Sequence, residues 1–262
     1  MLDNPPDATT FVSVNAIKTE LIRRGNGQPL LFLHPELGVA PNAPVIDRLG
    51  AKFGVVAPSL PGYGHTDMPR NFSSVDDLAY FTLDLIETLD LRGLVLVGVS
   101  LGGWVAAEIA IKATERIRRL VLANPVGIKT GGPTHRDMAD IFALPQKELE
   151  AMAFHDPAFA RFDPREASED EVFVRLRNRE STVLLGWSPY MYNPKLLGRL
   201  HRIRIPALVL WGAGDRIASA DYGRAYARAI PAARFELIER AGRFAHIEQP
   251  DEFTRRIAAF AG

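Results

Sequence analysis

Short, almost wholly apolar runs punctuate the chain: Leu30–Leu33, Val55–Ala57, Leu94–Val97, Leu120–Ala123 and Ala207–Trp211, each bounded by glycine, proline or polar residues. Runs this short are not helices of ordinary length, and they lack the polar alternation of a strand with one wet face. The pattern predicts strands buried on both faces of a parallel sheet. Helical spacing fills the intervals. Ser74 to Asp77 offers an N-terminal cap, followed by Leu78, Phe81, Leu85 and Leu89; Gly102–Ala113, Tyr222–Ile230 and Glu252–Phe260 read the same way. Strands alternating with helices imply right-handed crossovers and a doubly wound sheet covered on both sides. Ahead of them, the β-formers Phe11–Val14 and Thr19–Ile22 predict a leading hairpin.

The alternation fails from about Ile128 to Leu200, where no buried-strand run occurs. Helix-like stretches separated by prolines stand there instead: Arg136–Ala143, Gln146–Phe154, and Glu169–Leu185, with Ser168 and Glu171 spaced as a capping box. A chain of 262 residues exceeds one average domain of roughly 150. The expected organisation is therefore one mostly parallel α/β core, residues 1–127 and 201–262, with a helical lid, 128–200, inserted between two of its strands.

Charge and composition narrow the function classes. Lys plus Arg and Asp plus Glu both number 31, so the chain lacks the basic surplus of a nucleic-acid binder. It has no cysteine, which removes disulfides, thiolate metal sites and a cysteine nucleophile. No stretch approaches the ~18 consecutive apolar residues of a membrane span. The first residues show no basic or apolar signal region, so the expected setting is cytoplasmic. The six histidines show no metal-ligand spacing, and no metal or cofactor is expected. The expected partner is a small-molecule substrate.

One motif carries chemistry. Leu94-Val-Leu-Val-Gly98-Val99-Ser100-Leu101-Gly102-Gly103-Trp104 runs a buried strand through G-x-S-x-G directly into a helix. The glycines permit a strained strand-to-helix turn that projects the Ser100 hydroxyl, and the helix N-terminus offers unpaired N–H groups to a developing oxyanion. On this elbow the chain resembles the α/β-hydrolase family, over nearly its whole length. Leu31-Phe-Leu-His34-Pro35-Glu36 is similar to the family's oxyanion loop. Ala57-Pro58-Ser59-Leu60-Pro61-Gly62-Tyr63-Gly64-His65-Thr66 resembles its Pro-Gly-x-Gly-x-Ser/Thr turn, and Ile205 to Asp215 its acid-bearing strand and loop. The resemblance implies a lid-bearing serine hydrolase for a small apolar ester or related carbonyl compound. It implies Ser100 as nucleophile, Asp215 as the acid, and the backbone N–H groups of Glu36 and Leu101 as the oxyanion hole. His34, Trp104, Phe142, Trp187 and Tyr190 are the expected lining of an apolar pocket.

The base is where the chain departs from this pattern. The family's Ala-Gly-His-x-x-His-x-Glu-x-Pro becomes Ala241-Gly242-Arg243-Phe244-Ala245-His246-Ile247-Glu248-Gln249-Pro250, so Arg243 fills the imidazole slot. A guanidinium has no acceptor lone pair and cannot take a serine proton; beside Asp215 a bidentate ion pair is expected. Three readings follow. His246 serves as a displaced base; the chain is a ligand-binding pseudoenzyme or inactive variant; or it is a lyase or cyclase whose Arg243 holds an anionic group. Glu36 either faces solvent, pairs with Arg243 across the pocket, or orients a polar substrate.

Overall fold

The computed structural model describes residues 9–132, 134–160 and 162–262. The strands are β1 (Thr9–Val14), β2 (Ile17–Arg24), β3 (Pro29–Leu33), β4 (Gly54–Pro58), β5 (Leu94–Val99), β6 (Ile117–Ala123), β7 (Ala207–Gly212) and β8 (Ala233–Ile238). They form one sheet in the order β1-β2-β4-β3-β5-β6-β7-β8. The β1–β2 and β2–β4 pairs are antiparallel and the rest parallel. The leading hairpin turns on Asn15 and Ala16, both with positive φ, as a two-residue turn between twisted strands requires.

The helices are α1 (Ala43–Gly50), α2 (Val75–Thr88), α3 (Leu101–Lys112), α4 (Gln146–Ala153), α5 (Glu169–Gly186), α6 (Ala220–Ala229), α7 (Ala245–Glu248) and α8 (Pro250–Ala261). Alternate strand residues divide the core into two layers, as a period of two dictates. Leu31, Leu33, Leu96, Leu120, Leu122, Val209 and Trp211 pack with α2, α3 and α6 on one face. Leu30, Phe32, Val95, Val97, Val121, Leu208 and Leu210 pack with α1 and α8 on the other. The capping boxes at Ser74 and Ser168 both form.

Helices α4 and α5 fall between β6 and β7 in sequence. The expected helix over Arg136–Ala143 is absent. Asp137 draws in the Thr130 and Gly131 N–H groups and the Lys129 ammonium, while Asp140 accepts from the N–H groups of Phe142 and Ala143. Short acidic side chains compete with the helix for backbone donors, and here they fold the segment into turns.

The site rests on the close approach of α3 to β3. A Cβ on Gly102 would lie 2.2 Å from the Leu33 carbonyl oxygen, and one on Gly98 2.3 Å from the Gly102 oxygen. Both contacts are with backbone, which cannot swing away. Gly102→Ala should therefore cost about 1–3 kcal/mol of unfolding free energy by overpacking, read from urea denaturation; wild-type stability would contradict so close a junction.

Candidate active site

Ser100 sits at the junction of β5 and α3 with φ 50° and ψ −110°, a strained conformation at a non-glycine residue. Its own N–H bonds the Ala123 carbonyl, and its carbonyl accepts from Trp104, so the strain is held from both sides. The side chain is fully buried. Leu101 opens α3, so its N–H has no intrahelical acceptor and stands at the positive end of the helix dipole.

Two charged side chains meet this serine, and a third stands behind them. The Ser100 hydroxyl donates to Glu36 Oε2 at 2.5 Å and accepts from Arg243 Nη2 at 2.6 Å. Arg243 Nε donates to Glu36 Oε1 at 3.2 Å. Of the alternatives for Glu36, the pairing with Arg243 is the one formed. Asp215 stands farther off, its Oδ2 3.8 Å from Arg243 Nη1. That nitrogen is buried and makes no hydrogen bond. The expected bidentate Arg243–Asp215 pair is thus replaced by a single long contact. The reason is prior commitment: Asp215 Oδ1 accepts from the N–H groups of Ile217 and Ala218, and Oδ2 accepts from Asn124 Nδ2 at 2.8 Å. Meanwhile Nε and Nη2 of Arg243 are taken by Glu36 and Ser100.

The loop between β8 and α7 delivers Arg243, and the region carrying α4 clamps that loop. The Arg243 N–H donates to the carbonyl of Ala153, the last residue of α4, at 2.7 Å. Glu248 accepts from Gly242 and Asp156 N–H with its two oxygens, tying loop and insertion together. Burial alone would strip charge from the guanidinium. The adjacent Glu36 and Asp215 carboxylates outweigh it and hold the Arg243 pKa above its ordinary value. Burial pushes the Asp215 carboxyl above its usual range, opposed by Arg243 and by its hydrogen bonds.

His246 does not meet the serine, which corrects the displaced-base reading. Its Nε2–H donates to Asn42 Oδ1 at 2.6 Å, and its ring lies among Phe32, Phe244 and Phe253. The short helix α7 begins at Ala245, and its winding carries His246 into the layer under α1 and α8 while Arg243 faces Ser100. Its Nδ1 is buried without a partner, and desolvation lowers its pKa to about 3. His34 is also interior: Nε2 accepts from the Leu60 N–H at 3.0 Å and Nδ1–H donates to the Pro35 carbonyl. Burial holds its pKa near 4 despite the neighbouring Glu36 carboxylate.

The expected pocket residues separate. Trp104 is buried with its indole N–H on Glu108, and His34 is spent on its backbone bonds. Phe142, Trp187 and Tyr190 do cluster, but Trp187 is 60% exposed. Tyr190 alone of the five lines a cavity of about 320 Å³, whose walls mix Ile128, Met138, Met191, Tyr192 and Tyr222 with the charged Lys129, Arg136, Asp137 and Asp140. Ser100, Glu36, Arg243 and Asp215 are not among the residues that line it. Met191 and Tyr192 follow Tyr190 directly and read as pocket candidates with it, whereas Ile128, Met138 and Tyr222 come from distant parts of the chain and carry no such signal until it folds. Among the described residues no cluster of three or more histidine, cysteine, aspartate or glutamate side chains could hold a metal ion, and no helix is long and apolar enough to cross a membrane.

The sequence pattern of the alpha/beta hydrolase family matches residues 30–256. The chain belongs to this family. Among its relatives, a 2-hydroxy-6-oxononadienedioate/2-hydroxy-6-oxononatrienedioate hydrolase of Paraburkholderia phymatum is 28% identical over 81% of this chain and 77% of its own. A meta-cleavage product hydrolase from Pseudomonas fluorescens IP01 superposes with a TM-score of 0.78 at 20% identity, covering 96% of each chain. A thermophilic esterase from Thermogutta terrifontis does so with a TM-score of 0.75 at 22% identity, over 96% of this chain and 97% of that one. At these identities the superpositions establish the shared fold.

The two buried histidines make stability pH-dependent. Their folded pKa values, about 4 and about 3, lie below the ordinary 6.5, so the unfolded chain binds protons that the native state refuses. The contribution is complete above pH ~6.5 and is lost as pH falls, at about 1.4 kcal/mol per pH unit for each residue. Urea midpoints from pH 7 to 5 should fall accordingly, and His246→Gln should reduce the slope by one proton. An unchanged slope would mean that the imidazole is charged in the native state.

Proposed function

We propose that this alpha/beta hydrolase uses Ser100 as a nucleophile on a small, uncharged ester or related carbonyl substrate. Its turnover is held down by the lack of an imidazole at the serine. The observation that carries the reading is the strained elbow itself. It places the Ser100 hydroxyl at the N-terminus of α3, hydrogen-bonded to a carboxylate acceptor. Such strain costs about 1–3 kcal/mol and is characteristic of functional positions. The esterase and hydrolase names of the relatives accord with carbonyl chemistry.

Preference for an uncharged substrate follows from the local charges. Arg243 already contacts Glu36 at 3.2 Å and Asp215 at 3.8 Å, so its charge is spent within the protein. An incoming carboxylate would meet two acidic side chains and one shared cation. This weighs against the lyase or cyclase reading in which Arg243 holds an anionic group. In the oxyanion-hole assignment, the N–H groups of Leu101 and Glu36 receive the developing negative charge.

A second reading, a ligand-binding protein without turnover, is favoured by one contact. Arg243 Nη2 occupies a lone pair of Ser100 Oγ, the atom that would attack. The two readings separate on fluorophosphonate labelling and p-nitrophenyl acetate turnover. The hydrolase reading predicts slow labelling and turnover, both abolished in Ser100→Ala, whereas an unlabelled wild-type protein would leave the binding reading. Arg243→His, which sets an imidazole near Asp215, should raise turnover about tenfold or more, within the range a general base contributes. An unchanged rate would show that the missing imidazole is not what limits the chain.

A further inference from the structure

The geometry points to Glu36 as the proton acceptor for Ser100, with Arg243 as the cation that stabilises the emerging alkoxide. This assignment rests on the hydrolase reading above and names the group that would make it work. Among the described residues, the Ser100 hydroxyl has one acceptor, Glu36 Oε2, at 2.5 Å. A hydroxyl has one proton to give and two lone pairs. The proton points at Glu36, one lone pair takes Arg243 Nη2–H at 2.6 Å, and the other is left for attack. A general base must lie within hydrogen-bond reach of the donor it deprotonates, no more than about 3.2 Å away; Glu36 at 2.5 Å meets that requirement, whereas His246 is hydrogen-bonded to Asn42.

Electrostatics favour the same assignment. A permanently ionised Glu36 beside an oxyanion would oppose the reaction. If Glu36 takes the Ser100 proton, its own charge vanishes as the oxyanion forms, so negative charge moves across the site instead of accumulating. Arg243 is placed for both states, with Nε on Glu36 Oε1 and Nη2 on Ser100 Oγ. A charge-assisted hydrogen bond to the alkoxide oxygen is stronger than one to the hydroxyl, so Arg243 binds the product of proton transfer better than the reactant. Asp215, held by Asn124 and two backbone donors, is a positioning residue that steers the far edge of the guanidinium.

The steps balance. The Ser100 proton passes to Glu36 as an Oγ electron pair forms the bond to the carbonyl carbon, and the carbonyl π pair becomes the oxyanion. Collapse re-forms the carbonyl and breaks the bond to the leaving alkoxide, which takes the proton from Glu36. Water then gives a proton to Glu36 and attacks the acyl carbon. Release of the carboxylic acid returns that proton to Ser100 Oγ. A carboxylate is intrinsically a weaker base than an imidazole, which accords with the slow turnover proposed above.

The test uses p-nitrophenyl acetate hydrolysis by the full chain. Glu36→Gln should lose about 100-fold or more in kcat/KM, the usual contribution of a general base. Added formate should restore part of the activity of Glu36→Ala but none to Ser100→Ala. Glu36→Asp preserves the charge for folding but withdraws the carboxylate by one methylene, and should lose about tenfold or more in kcat with KM little changed. Ser100-dependent turnover that survives in Glu36→Gln, or in a folded Glu36→Asp, would overturn this assignment alone. Wild-type turnover that persists in Ser100→Ala, or absence of both turnover and labelling, would overturn the hydrolase reading and this assignment with it.

Discussion

A buried guanidinium governs this site. Arg243 is 1% exposed, and a cation taken so far from water persists only where anions and hydrogen-bond acceptors replace its hydration. Glu36, Ser100 and Asp215 supply them, each from a different loop at the ends of the central strands. The acidic residue in the oxyanion loop and the basic residue in the imidazole slot therefore explain one another. Without Glu36, Arg243 would keep only the long Asp215 contact, and losing one partner of a buried ion pair typically costs several kcal/mol.

The fold brings these parts together through features remote from the chemistry. Parallel strands β3, β5 and β7 end on one side of the sheet, so the loops after them meet. Glycines at 98 and 102 let α3 close on β3, which brings Ser100 within reach of Glu36. The loop after β8 is pinned to the insertion by the Ala153 carbonyl and the two arms of Glu248. Consequently the orientation of Arg243 depends on the insertion as well as on the core.

Much of this was legible in the residues. Apolar runs such as Leu94–Val97 and Leu120–Ala123 identify central strands because burial on both faces leaves no polar position. G-x-S-x-G between strand and helix marks Ser100 because few other turns need glycine at both flanks. Position 243 stands out because a guanidinium cannot replace a lone pair. The partner choices were not legible. Whether Arg243 turns to Asp215 or Glu36 depends on which acid still has a free oxygen, and the backbone N–H groups of Ile217 and Ala218 decide that only once folded. The destination of His246 was equally hidden, since the four-residue helix α7 sets the direction of its ring. Arg136–Ala143 looked helical by spacing, yet the local reach of Asp137 and Asp140 for backbone donors won over propensity.

The dependence of Arg243 and Glu36 on each other is most directly measured by a double-mutant cycle on unfolding free energy. It combines Glu36→Gln, Arg243→Met and the pair. If the two charges compensate one another in the buried site, the double variant should be more stable than the sum of the single losses implies, with a coupling of about 1–3 kcal/mol. Additive losses, with coupling within about 0.5 kcal/mol of zero, would contradict the account.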